Sequence, residues 1–219
     1  MRILAASDIH GSRDVYHWLA SLADARPVEA LLLAGDLLGV PDGFETVEAA
    51  QQSDADSIAA ILGAITVPVY YIMGNDDFVE LCPASPRVRS LNLKRIDAGS
   101  YNFVGYQYTL PFMGGVFERP EKAIARDLES LASAMDDRTV LVTHGPALGI
   151  LDSTLLGPAG SASLRDIIEN RGVRAHIHGH IHGCFGRSGI HFNVASALKR
   201  RAMLIDLETM FHEVVGGAT

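Results

Sequence analysis

The sequence predicts one mixed α/β domain spanning residues 1–219, on three observations. Short apolar runs alternate with helix-period segments along the chain. No linker-like, low-complexity or repeated stretch divides it. Hydrophobic residues make up 48% of the chain, enough for one sizeable core. Residues 3–6 read as a buried strand, and Val15, Trp18, Leu19 and Leu22 fall on one face of a following helix. Residues 30–33 and 67–72 form the second and third apolar runs. Between them Val47, Ala50, Ile58, Ile61 and Ile65 suit a helix, with polar residues 51–56 on its exposed side. Residues 90–110 are rich in aromatic and β-branched side chains and contain Gly99 and Gly105, which predicts antiparallel strands. Pro120 opens a helix with an inner stripe of Ile124, Leu128, Leu131 and Met135. Residues 140–142 form a strand, Leu164, Ile167 and Ile168 mark another helix, and the tail from residue 184 alternates like a meander.

Composition narrows the function classes. No apolar run approaches the ~18 residues of a membrane span. The apolar start is interrupted at once by Asp8 and His10, too early for a signal peptide. Cys82 and Cys184 lack metal-like spacing, so a reducing cytoplasm is the expected compartment. A net charge of -8 opposes general attraction to nucleic acid or acidic membranes. Bound metal ions would still add local positive charge. The oligomeric state is left open, a homodimer included.

Five polar motifs carry the chemistry: Asp8-Ile9-His10, Gly35-Asp36, Gly74-Asn75-Asp76-Asp77, Thr143-His144-Gly145 and Gly179-His180-Ile181-His182. Arg187 and residues 192–196 follow as weaker echoes. The first four motifs each follow an apolar run, and ligands of open α/β sheets gather beyond the carboxyl ends of strands. The five loops are therefore expected to converge on one sheet edge. Taken singly, these residues suit strand-end turns and helix caps. Carboxylate, imidazole and amide oxygen together suit Mn, Fe, Zn, Ni or Co, and the lack of thiolates argues against a structural zinc site. Two ions about 4 Å apart need a shared ligand, which Asp36 can supply. Such a pair polarises a phosphoryl group and yields hydroxide near neutral pH for in-line attack on phosphorus.

At these residues the chain resembles the calcineurin-like metallophosphoesterase superfamily, whose pattern is D-x-H, G-D, G-N-H-[DE], H and G-H-x-H. Residues 141–152 with 179–182 look most like small members near the class III cyclic-nucleotide phosphodiesterases. The resemblance implies a four-layer αββα sandwich with two central mixed β-sheets. It places Asp8, His10, Asp36 and His182 on a first metal, and Asp36, Asn75, His144 and His180 on a second. It implies a small phosphorylated or nucleotide-like substrate and two divalent ions, with Mn favoured.

The chain departs from that pattern at Asp76, where most members have a histidine that contacts phosphate and protonates the leaving group. Asp77 keeps the acidic position that orients this histidine. Asp76 and Asp77 are thus the candidate catalytic residues. An ionised Asp76 beside two cations is a poor general acid, and losing such an acid typically forfeits roughly 10²–10⁴ in rate. Leaving groups that need no proton suffer least, so phosphodiesters are expected to be favoured. A broad phosphomonoesterase or protein phosphatase is the alternative enzyme, and a metal-binding scaffold with little turnover is the non-enzymatic one.

Other residues carry weaker signals. His176 and His178 would extend one row with His180 and His182 on a strand, but read as packing or supporting histidines. His191 has no spacing that requires it in the cleft. Arg13 is open to phosphate binding or solvation. Asn193 and Ser196 read as supports of the site, and the Lys199-Arg200-Arg201 cluster is too short for a nucleic-acid site. Tyr101, Phe103, Tyr106, Tyr108 and Phe112 are expected to pack strands, with base stacking as the alternative. Residues 37–57 read as either a lid or a solvated helix.

Overall fold

A computed structural model describes residues 1–217. In chain order the elements are β1 (Arg2–Ala6), α1 (Arg13–Ala25), β2 (Ala30–Ala34), α2 (Val47–Gly63), β3 (Val69–Ile72), β4 (Val88–Ser90), β5 (Arg95–Ala98) and β6 (Tyr101–Tyr106). They continue with α3 (Glu121–Leu131), β7 (Thr139–Thr143), β8 (Ser153–Thr154), β9 (Gly157–Pro158), α4 (Ala162–Arg171) and β10 (Ala175–His178). The last are β11 (Gly186–Ser188), β12 (His191–Asn193), β13 (Arg201–Asp206) and β14 (His212–Gly216). Two six-stranded mixed sheets result, in the orders β14-β13-β1-β2-β3-β4 and β11-β12-β10-β7-β6-β5. The fold is the four-layer αββα sandwich implied by the resemblance.

The layers follow from side-chain alternation. Strands turn successive side chains to opposite faces. On β1 and β2, Leu4, Ala6, Leu31 and Leu33 pack with Val15, Tyr16 and Leu19 of α1 and Ile58 and Leu62 of α2. Ile3, Ala5, Leu32 and Ala34 instead meet Phe103, Val140, Val142 and Ile177 of the other sheet. On the far side Val104, Tyr106 and Leu141 pack with Ile124 and Leu128 of α3 and Leu164 and Ile168 of α4. Burial on both faces explains why these strands read as unbroken apolar runs. The Ser161 side chain caps α4 by accepting from the Leu164 N–H, and Gly172 ends it at a left-handed φ of 60°.

Four local expectations need correction. Within residues 90–110 only β5 and β6 pair antiparallel; β6 runs parallel to β7, and β4 joins β3 in the other sheet. The tail is no continuous meander, because β12 pairs parallel with β10 whereas β13 crosses over to pair with β1. The histidine row breaks after His178, where β10 ends and the chain turns. The polar face of α2 is not uniformly solvated: Gln51 and Asp54 are buried.

That burial gives α2 its purpose. Gln51 donates through Nε2 to the Asp76 carbonyl (2.7 Å), and its Oε1 accepts from the Phe78 N–H (2.6 Å). Asp54 accepts from the Gly39 N–H at 2.7 Å and pairs with Arg13 at 2.7 Å. Within residues 37–57, the stretch from Val47 is thus the first part of a helix that clamps two ligand-bearing loops. Gln51→Ala leaves a backbone donor and an acceptor without partners, and is expected to cost about 2 kcal/mol. A drop in the midpoint of denaturant unfolding measures it, and an unchanged midpoint counts against the clamp.

Candidate metal centre

Asp8 and His10 follow β1, Asp36 follows β2 and Asn75 follows β3, three strands that run parallel in the first sheet. His144 follows β7, and His180 and His182 follow β10, in the second. The loops therefore converge where the carboxyl ends of both sheets meet, rather than on the edge of one.

Two clusters form there. Asp8, His10 and His182 each offer a ligand atom within 4.8 Å of the others, and so do Asp36, His144 and His180. His182 Nε2 lies 2.9 Å from Asp8 Oδ1. Asp36 Oδ2 lies 3.2 Å from His144 Nε2 and 4.0 Å from His10 Nε2, so one carboxylate oxygen faces both clusters. Asn75 Oδ1 stands 3.1 Å from His144 Nε2 and adds an amide oxygen to the second. His144 Nδ1 donates to the Ala34 carbonyl at 2.8 Å, which turns Nε2 into the site. One carboxylate and two imidazoles in each cluster fit borderline divalent cations.

The backbone is bent to achieve this. Asp8, His10, Asp36 and His180 hold φ values of 55°, 46°, 52° and 66°, in the left-handed region that L-residues seldom adopt. Such conformations cost of order 1–3 kcal/mol each and persist where surroundings over-determine them. The motif glycines let the loops approach. A Cβ on Gly74 would strike Asp36 Oδ1 and the Asp36 nitrogen, and would sit 2.8 Å from His144 Cε1. One on Gly179 would lie 2.5 Å from Asp8 Oδ2.

Electrostatics tie the second cluster together. Burial opposes charge on both Asp36 and His144, yet each partner's charge overrides it, holding the Asp36 carboxyl well below the carboxylate range and raising the His144 imidazole. Burial pushes His180 down to about 4, which leaves its imidazole neutral as a metal ligand must be.

The two candidate catalytic aspartates occupy different settings. Asp77 is buried and accepts from the backbone N–H groups of Leu37, Leu38 and Gly74 at 3.0, 2.8 and 2.8 Å. It ties the Asp36 loop to the Asn75 loop. Asp76 faces the cleft half-exposed, with Oδ2 3.2 Å from His10 Nδ1, and its N–H donates to Asp36 Oδ1 at 2.9 Å. A carboxylate on the outer nitrogen of a metal-binding imidazole orients the ring.

The weaker candidates separate cleanly. Arg13 is engaged by Asp54 and the Gly11 carbonyl, and Arg187 by the carbonyls of Gly189 and Met210. His176 sits between Thr143 Oγ1 (2.8 Å) and His191 Nδ1 (2.9 Å), and burial drives His176 and His178 strongly towards the neutral form. Asn193 donates to the Ile181 carbonyl and Ser196 to that of Asp8. Of the aromatic group, Phe103 packs between the sheets and Tyr106 under the outer helices, while Phe112 lines the cleft. Sequence reasoning missed Ser7, which donates to Asp8, and Arg201, which donates to the His182 and Ala195 carbonyls at 2.9 and 2.8 Å. Arg201 lay inside the 199–201 basic cluster, for which the sequence offered no role beyond being too short for a nucleic-acid site.

A family model described as calcineurin-like phosphoesterase matches residues 1–184. The chain belongs to the calcineurin-like phosphoesterase family. No curated protein matches the chain. Solved structures share the fold at low identity. TT1561 of Thermus thermophilus is 18% identical with a TM-score of 0.74, over 98% of both chains. A dimetal phosphatase from Danio rerio is 14% identical with a TM-score of 0.63, over 100% of this chain and 99% of that one. An archaeal phosphodiesterase is 10% identical with a TM-score of 0.54, over 98% of this chain and 99% of that one. The family uses divalent metals, and the two clusters supply a donor set that suits them. No helix among the described residues is long and apolar enough to cross a membrane.

Gly74→Ala forces Asp36 and His144 apart. It is expected to destabilise the fold by about 1–3 kcal/mol and to weaken metal binding. Thermal unfolding with and without added Mn²⁺ measures both, and a variant that keeps the full metal-induced stabilisation contradicts the close-approach argument.

Proposed function

We propose that the chain is a dinuclear metal-dependent phosphoester hydrolase that prefers phosphodiesters of small molecules, nucleotide-like ones among them. The observation that carries the reading is Asp36, whose Oδ2 faces a ligand group on either side. In this reading Asp8, His10, Asp36 and His182 hold one ion and Asp36, Asn75, His144 and His180 the other. Mn²⁺ is the favoured ion because carboxylate and amide oxygens contribute alongside imidazole. Bound divalent ions supply Lewis acidity and a source of hydroxide near neutral pH.

The chain's own residues set the preference. No imidazole stands at position 76 to protonate a departing alkoxide. Asp76 instead spends its carboxylate on His10 Nδ1, where ionisation is useful, and Asp77 is committed to backbone N–H groups. Asp76 in this reading positions a ligand and leaves the leaving group unaided. Esters with stable leaving groups are therefore favoured over ordinary monoesters.

Mn²⁺-supplemented turnover of an aryl phosphodiester and an alkyl monoester tests this, with Asp36→Asn as the control. Both activities are expected to fall to background in Asp36→Asn, and activity that survives it overturns the two-metal assignment. Asp76→His is expected to raise monoester over diester turnover by about tenfold or more. An unchanged ratio removes Asp76 as the source of the preference.

A further inference from the structure

The cleft above the metal-ligating floor has a volume of about 820 Å³. Its walls are chemically unlike its floor. Two segments supply the walls: Phe112 with Met113, and the β8–β9 hairpin with Ser153, Thr154 and, at its tip, Leu155 and Leu156; Ile181 also lines the cleft. Leu155 and Leu156 are 106% and 99% exposed and Met113 is 75% exposed, which is costly for side chains that could turn inward. No lysine or arginine lines the cleft.

Both walls are held open by polar brackets. The Glu118 carboxylate accepts from the N–H groups of Phe112, Met113 and Gly114 at 2.9, 2.8 and 2.9 Å, which curls residues 112–118 into a fixed loop. Phe112 meets the His180 ring edge-on with centroids 5.1 Å apart, so this wall touches the metal floor. In the hairpin, Thr154 Oγ1 donates to the Gly157 carbonyl at 2.7 Å and accepts from the Leu156 N–H at 3.2 Å. That turn presents both leucines outward. Two independent loops, each locked by its own hydrogen bonds, thus aim apolar side chains at one space.

We propose that these walls bind the hydrocarbon part of the substrate, so that the phosphoester taken by this site carries an alkyl chain on the arm that stays on phosphorus while a stable leaving group departs. The proposal rests on the phosphoesterase reading and narrows its substrate class. A nucleobase is less well served. Reading its edge needs several hydrogen-bonding side chains, and against Phe112, Met113, Leu155, Leu156 and Ile181 the walls set only the hydroxyls of Ser153 and Thr154, the latter already engaged. A polyanionic substrate finds no basic side chain beyond the metal floor. A phosphoester with a retained alkyl arm satisfies both ends: phosphate over the metal ligands, methylenes between the walls.

The test is binding of n-alkylphosphonates, methyl to octyl, to the Mn²⁺-loaded full chain by calorimetry. These compounds have no ester bond to hydrolyse. The dissociation constant is expected to fall by about two- to fourfold per methylene, at least about a hundredfold across the series. In Leu155→Ser/Leu156→Ser the slope within the series is expected to flatten; both residues are exposed, so the fold is spared. Equal affinity for methyl- and octylphosphonate overturns the alkyl proposal while leaving the phosphoesterase reading intact. Failure of every phosphonate to bind overturns both. A concentration-dependent dimer in sedimentation that the double variant abolishes, with no chain-length dependence, assigns the walls to a second copy instead.

Discussion

The site is organised by the burial of one carboxylate between the edges of two sheets. Asp36 leaves β2 with a left-handed backbone, and His144 arrives from the other sheet to place Nε2 3.2 Å from it. That approach is sterically available only because Gly35 and Gly74 carry no side chain against His144 and Asp36. A carboxylate so placed is costly unless a cation or hydrogen bonds compensate it. Here the Asp76 backbone N–H donates to Asp36 Oδ1, and the His144 imidazole stands 3.2 Å from Oδ2. The inter-sheet core of Leu32, Ala34, Val140 and Val142 holds the two edges in register beneath it.

Around this centre lies a set of brackets that fasten the loops to one another. Asp77 and Gln51 fasten the loops after β2 and β3, Asp54 reaches Gly39, and Arg201 secures the backbone at His182. They answer the strain at Asp8, His10, Asp36 and His180. Irregular, positive-φ loops would relax if only their own residues held them. The acidic residue that follows Asp76 is part of this scaffold, and its carboxylate is fully occupied by backbone N–H groups.

Much of the fold and of the meeting of the candidate loops was legible because its signals are local. Strands buried on both faces announce themselves as apolar runs, and the loops bearing Asp8, His10, Asp36, Asn75, His144, His180 and His182 meet as their strand-end positions suggest. What stayed hidden depends on distant partners. Gln51 and Asp54 look solvated on a helical wheel because the groups they satisfy, Asp76, Phe78 and Gly39, lie in other loops. Arg201 looks like one of three surface cations until its carbonyl acceptors are seen. The crossover of β13 to the first sheet is seen only in its pairing with β1, at the other end of the chain, which alternation within the tail does not encode. The apolar walls were invisible for the same reason: Met113 and Leu155 lie far apart in sequence and share only the space between them.

Shared occupancy around Asp36 is the claim on which substrate and selectivity both depend. Electron paramagnetic resonance of the chain titrated with Mn²⁺ tests it most directly, because two ions joined by a common ligand couple their spins. A coupled dinuclear signal, lost in Asp36→Asn while residual Mn²⁺ binds as isolated ions, is the predicted result. Only uncoupled mononuclear Mn²⁺ at saturating metal in the unmodified chain would contradict the account.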